Sequence, residues 1–162
     1  MSNTAVCPGS FDPPTEGHIN IVERGLKIFD KIIVVVAVNS TKKNTFTAQE
    51  RVAMLREIFK NRSEIEIDSF QDSLLVDYAR KKKVGTILRG LRTIADYDFE
   101  FQMALANKKL APEVETVFMM TESQNSHISS SLIKEILTLG GQAGDMVPAI
   151  VEKKFREKLK GK

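Results

Sequence analysis

The chain has 162 residues, 42% of them apolar and 28% charged, the balance of an ordinary globular protein long enough to bury one core. Its net charge of +3 is owed to Lys153–Lys162, where six basic side chains face one acidic; the rest holds 18 basic against 20 acidic groups, not the basic stripe of a nucleic-acid binder. No apolar run nears the roughly 18 residues of a membrane span, no export signal opens the chain, and the lone Cys7 excludes a disulfide or a cysteine-built zinc site, so a cytoplasmic protein without membrane or nucleic-acid partners is expected.

The predicted elements alternate. β-Branched runs at Ala5–Cys7, Ile32–Val38, Ile65–Ile67, Thr86–Leu88 and Thr116–Met119 read as strands. The second contains no polar residue, as suits a central parallel strand covered on both faces. A helix is expected to begin at His18, with Ile19, Val22, Leu26 and Phe29 on one face. Thr47-Ala48-Gln49-Glu50 is a capping box before the face Val52, Leu55, Ile58 and Phe59. Further helices are expected at Ser73–Lys82, Asp96–Leu110, Ser129–Leu139 and from Pro148 onward, the last with Ile150, Val151, Phe155 and Leu159 inward and its lysines in water. Without repeats or linkers, residues 1–162 read as one doubly wound α/β domain with a five-stranded parallel sheet, closed by a basic helix at about 148–160. Ligands should lie beyond the carboxyl ends of its strands.

The first strand runs into Pro8-Gly9-Ser10-Phe11-Asp12-Pro13-Pro14-Thr15-Glu16-Gly17-His18. A helix start presents unpaired N–H groups and a positive dipole end, an anion site. Thr15 and His18 can place a hydroxyl and an imidazole there, although alone they read equally as a cap and a solvated first-turn residue. Neither G-x-x-x-x-G-K-[ST] nor G-x-G-x-x-G occurs, which removes the P-loop and dinucleotide-binding readings.

The full string resembles the T/H-x-G-H signature of the nucleotidyltransferase superfamily, and Ile128-Ser129-Ser130-Ser131-Leu132-Ile133-Lys134 resembles its second motif, I-S-S-S-x-I-K. Arg89-Gly90-Leu91-Arg92 after the fourth strand, then Asp96, Glu100 and Asn107, together with Thr41-Lys42-Lys43 and Phe46, are similar to the bacterial phosphopantetheine adenylyltransferase family. The similarity is collinear from Ala5 to about Pro148. Other transferases of this fold, acting on nicotinamide mononucleotide or glycerol phosphate, share T/H-x-G-H but lack R-G-L-R.

The resemblance implies a Rossmann-like fold and transfer of an adenylyl group from ATP to 4′-phosphopantetheine, giving dephospho-coenzyme A and pyrophosphate. It implies catalytic roles for His18, Lys42 and Arg92. It implies nucleotide contacts from Ser10, Phe11, Gly17, His18, Gly90, Leu91, Arg92, Glu100 and the run Asn125, Ser126, His127, Ile128, Ser129, Ser130 and Ser131. Ser10, Lys42, Leu75 (or its neighbour Leu74), Arg89 and Asn107 would contact phosphopantetheine. Magnesium held mainly by ATP phosphates, a homohexamer and inhibition by coenzyme A belong to the same implication. No protein-built metal site is visible. On the residues alone, Lys42 and Lys43 could be a solvated turn, Arg89 and Arg92 ion-pair partners of Asp96 or Glu100, and Leu74-Leu75-Val76 an apolar helix face.

Overall fold

Five of the eight residues of Lys31–Val38 are buried, because this strand is paired on both edges and covered on both faces. The structure, a computed structural model, describes residues 3–41 and 43–160. Its strands β1 (Thr4–Gly9), β2 (Lys31–Val38), β3 (Ile65–Gln71), β4 (Thr86–Leu91) and β5 (Glu115–Met120) alternate with helices α1 (Glu16–Gly25), α2 (Ala48–Ile58), α3 (Leu75–Lys82), α4 (Ile94–Leu110), α5 (Ser130–Thr138) and α6 (Ala149–Lys160). The sheet is parallel in the order β3-β2-β1-β4-β5.

Alternation along the strands builds two layers. Ala5, Cys7, Ile32, Val34, Val36 and Leu88 pack with Ile21 and Val22 of α1 and Leu55 of α2. Val6, Ile33 and Val35 pack with Tyr78 of α3 on the opposite face. A further cluster joins Phe46 and Met54 to Ile133 and Leu137 of α5 and Val151 and Phe155 of α6. The last helix is therefore core through Ile150, Val151 and Phe155, as its apolar spacing predicts, whereas Leu159 near its end is exposed. One of its lysines is not merely solvated: Lys158 donates to both carboxylate oxygens of Glu50 at 2.8 and 2.7 Å and lies over the Phe46 ring.

β1 and β2 share a register from Thr4↔Lys31 to Gly9↔Val36, whereas β1 and β4 are joined at Val6↔Ile87. Chain order reverses at this seam, where a doubly wound sheet opens its ligand crevice.

Several expected boundaries move. α1 starts at Glu16, because Thr15 is its cap and His18 already lies in the first turn. β3 extends to Gln71 through its pairing with β2, and α3 begins at Leu75. Arg89, Gly90 and Leu91 belong to β4 and do not follow it, since β5 pairs with them through Leu91↔Met120. Short 3₁₀ turns at Ser123–Asn125 and Gly144–Met146 carry no periodic signal that would announce them.

Candidate functional site

The loop after β1 ends in a capping box closed by a histidine. Thr15 Oγ1 accepts from the His18 backbone N–H at 3.4 Å, and the Thr15 N–H donates to His18 Nδ1 at 3.0 Å. Because Nδ1 accepts, the proton of the neutral ring resides on Nε2. Burial, reinforced by the positive charges of Arg92 and Arg89, lowers the His18 pKa to about 4. The residue thus offers the cleft it lines an uncharged N–H donor at neutral pH. Phe11 supports the ring edge-on, with centroids 5.0 Å apart. Gly9 makes this possible, since a Cβ there would lie 2.9 Å from the Phe11 ring.

α5 meets the same cleft. Ser129 caps it by accepting from the Leu132 N–H at 3.1 Å, while Ser130 Oγ donates to the Pro13 carbonyl at 2.9 Å and ties the two loops together. Thr15, Gly17 and His18 from the start of α1 and Ile128, Ser129, Ser130 and Ser131 from the start of α5 line one cavity of about 310 Å³. Two helix N-termini facing a common space form a strong anion site.

Two arginines complete that wall, each already forked onto a carboxylate. Arg89 donates through Nε to Glu100 Oε2 at 2.7 Å, through Nη2 to Glu100 Oε1, and through Nη1 to the Pro8 carbonyl. Arg92 donates through Nε and Nη2 to the two oxygens of Asp96, both at 3.1 Å, and through Nη1 to the Ile128 carbonyl at 3.1 Å. A guanidinium has five N–H groups. Each arginine therefore keeps one N–H on each terminal nitrogen without a partner among the described residues, donors that a phosphate could engage. The ion-pair reading of these residues is realised, with Glu100 and Asp96 as the partners.

A second cavity of about 280 Å³ adjoins the first, sharing Pro8, Gly9, Ser10, Arg89 and Glu100 with it and continuing along Ala37, Phe70, Leu75, Phe99, Met103, Ala104 and Asn107. Leu75 faces this cavity, while Leu74 caps α3 and is 52% exposed. Ser10, Phe11, Gly17, His18, Gly90, Arg92, Glu100 and Ile128 to Ser131 border the first cavity, and Ser10, Leu75, Arg89 and Asn107 the second. Leu91, Asn125, Ser126 and His127 border neither. Leu91 is buried, and Asn125 lies over Gly17, with its carbonyl 3.8 Å from where a Cβ of that glycine would stand. Lys42 falls outside the described residues. Among the described residues no group of three or more His, Cys, Asp or Glu could hold a metal.

Sequence reasoning missed Phe99 and Met103. They precede Asn107 by eight and four residues on α4, so extending a helical face back from Asn107 would have found them. Cys7 also borders the first cavity, and burial raises its thiol pKa to about 11. It is a small apolar side chain there and not a nucleophile.

Residues 6–136 match the cytidylyltransferase-like family. A protein of Caldanaerobacter subterraneus subsp. tengcongensis named phosphopantetheine adenylyltransferase is 49% identical over 96% of this chain and 97% of its own length. One of the same name from Carboxydothermus hydrogenoformans is 52% identical, over 96% and 95%. The chain belongs to the phosphopantetheine adenylyltransferase family. Likeness of fold extends further: a crystal structure from Vibrio parahaemolyticus, provisionally named a nicotinate-nucleotide adenylyltransferase, superposes with a TM-score of 0.67 over 96% of this chain and 99% of its own, at 18% identity. Among the described residues no helix is long and apolar enough to cross a membrane.

Proposed function

We propose that the protein transfers the adenylyl group of ATP to 4′-phosphopantetheine, yielding dephospho-coenzyme A and pyrophosphate in the cytoplasmic synthesis of coenzyme A. Beside the family membership, the observation that carries this reading is the pair of adjoining cavities. One is the more polar and faces two helix N-termini; the other adds the apolar side chains of Ala37, Phe70, Leu75, Phe99, Met103 and Ala104 to polar ones such as Asn39 and Asn107, a mixture that suits the uncharged, amide-bearing pantetheine arm. They meet at Ser10 and Arg89, where the two phosphates must react.

An oxygen of the acceptor phosphate forms a bond to the α-phosphorus as the bond from that phosphorus to the bridging oxygen breaks, and its electron pair leaves with pyrophosphate. The acceptor is already an ionised nucleophile, so no side chain removes a proton. Catalysis is positioning and charge stabilisation. His18 donates from Nε2 to the α-phosphate as its charge rises. Arg92 holds ATP phosphates with its remaining N–H pair, joined by the backbone and hydroxyls of Ser129, Ser130 and Ser131. Arg89 and Lys42 hold the acceptor phosphate, and Asn107 and Leu75 its arm.

Magnesium fits this site as the ATP complex, because the carboxylates facing the first cavity, Asp96 and Glu100, are committed to arginines. Bound to the polyphosphate and water, it offsets the charge of the leaving pyrophosphate. Coenzyme A, carrying the same arm, would compete for the second cavity. A homohexamer agrees with α4, whose 17 residues include one buried side chain and leave Ile94, Phe99 and Leu105 84%, 63% and 56% exposed.

Pyrophosphate release with magnesium and each of three pairs tests the reading: ATP with 4′-phosphopantetheine, ATP with nicotinamide mononucleotide, and CTP with glycerol phosphate. Release with the first pair alone is expected. Release only with another pair would reassign the acceptor, and release with none would refute the reaction.

A further inference from the structure

Arg51 is 1% exposed and is the largest fully buried side chain among the described residues, yet it borders neither cavity. Its Nη1 donates to the Ser10 carbonyl at 2.7 Å and its Nε to the Thr47 carbonyl at 3.3 Å. Asp12, 4% exposed, supplies the opposing charge. Its two oxygens accept from the backbone N–H groups of Phe46 at 2.8 Å and Thr45 at 2.9 Å, and the Lys134 ammonium approaches to 3.3 Å. These contacts run between separate parts of the chain. Ser10 to Asp12 follow β1, Thr45 to Thr47 close the segment that carries Lys42, and Lys134 stands on α5.

Burying charge is a poor way to gain stability, since desolvation cancels most of the attraction, but it fixes geometry, because each group loses heavily if its partners move. Asp12 is spent on the loop N–H groups of Thr45 and Phe46 and Arg51 Nη1 on the loop carbonyl of Ser10, while the Thr47 carbonyl that meets Arg51 Nε also accepts from the Arg51 backbone N–H at 3.1 Å.

We infer that Asp12 and Arg51 are positioning residues that lock the nucleotide loop at Ser10 to the segment bearing the acceptor lysine, so that the two substrate sites are coupled through two buried opposite charges, each bonded to loop backbone, that neither substrate touches. The inference rests on the proposed roles of Ser10 and Lys42. It requires that occupation of the nucleotide site steady Thr45 to Thr47 at a distance, and that loosening the pair reduce turnover more than the binding of either substrate.

Hydrogen exchange on the wild-type protein gives the first test. Adding α,β-methylene-ATP is expected to slow exchange of the Thr45 and Phe46 amides at least roughly fivefold, although neither residue borders the nucleotide cavity; no change would overturn the inference. The second test compares Asp12→Asn, which keeps size but offers one acceptor for two N–H groups, with Arg51→Lys, which keeps the charge but cannot reach both carbonyls. Rates are taken per folded molecule, below each melting midpoint. A fall in kcat of roughly tenfold or more is expected, with KM for each substrate moving less, and Arg51→Lys retaining more than Arg51→Met. Folded variants with wild-type kcat would show the pair to be merely structural. If a variant does not fold, the exchange experiment decides alone. Absence of transfer by the wild-type enzyme would instead refute the proposed function.

Discussion

His18 closes the cap of α1 and in the proposed reaction also donates to the α-phosphate, and substitution can separate the two roles. At pH 7 a ring with a pKa of about 4 is protonated in roughly one molecule per thousand, so before substrate enters the site holds a neutral donor whose direction is set by Thr15. Removing a preorganised donor from developing phosphoryl charge costs about 3–4 kcal/mol, or roughly 100- to 1,000-fold in turnover. His18→Ala should lose this and also the Nδ1 acceptor of the capping box, about 1 kcal/mol or a fall of about 2–4 °C in melting temperature. Glutamine is a natural third residue of such a box and can accept from the Thr15 N–H in place of Nδ1. His18→Gln should therefore melt within about 2 °C of wild type while its turnover still falls roughly tenfold or more. Steady-state pyrophosphate release and calorimetric ATP binding on both variants, with melting curves alongside, provide the measurement. Wild-type turnover in His18→Gln, or a weakened ATP affinity that explains the whole loss in His18→Ala, would refute the role assigned to Nε2.

The same ring should titrate near pH 4 by NMR, its signals assigned against the His18→Gln spectrum. Its folded pKa lies below the ordinary 6.5, so the unfolded chain binds the proton more readily. The contribution is complete above about pH 6.5 and falls away toward pH 4, amounting to roughly 3 kcal/mol at most; urea midpoints that move in parallel for wild type and His18→Gln over this range would contradict it. Gly90→Ala would place a Cβ 2.8 Å from Ile21 Cγ1 and should cost roughly 1–3 kcal/mol by overpacking, part of it recovered in the Gly90→Ala, Ile21→Ala pair; additive losses would show that the two do not clash. Phe155→Ala should cost roughly 3–5 kcal/mol of unfolding free energy in urea, because Phe155 is buried in the core; a loss under about 1 kcal/mol would refute that α6 is core.

Most of the fold was legible because each layer is dictated locally. An unbroken apolar strand must be central, and capping boxes mark where helices start. Strand ends were not legible. Arg89 and Gly90 carry none of the β-branched character of Ile87, and β4 extends through them because β5 is there to pair, a long-range fact absent from local composition. The first turn of α1 misled for another reason: His18 replaces the glutamate or glutamine by which a capping box is ordinarily read, so the helix seemed to begin where its third residue stands. Among the candidate site residues, most within contiguous motifs line the two cavities, Leu91 and Asn125 to His127 do not, and those on helical faces were partly missed. Arg51 was invisible, since a lone arginine in an amphipathic helix reads as solvated until the loop that buries it is in place.

The two arginines show why residue type alone could not decide between ion pair and ligand clamp. Before ligand arrives, a free guanidinium beside a cavity would be mobile, and binding would have to order it at a cost in side-chain entropy. Glu100 and Asp96 bear that cost in advance by gripping the Nε edge of each fork, while the carbonyls of Pro8 and Ile128 fix Nη1. The remaining N–H pair is aimed by contacts from β1 and from the start of α5, the elements that carry the nucleotide loops. The acids also trim the positive potential, so the site depends on aimed donors more than on raw charge, and the neutral state of His18 fits the same design. A phosphoryl group entering this cavity meets helix N-termini, two oriented forks and one neutral imidazole, none of which must reorganise as its charge grows.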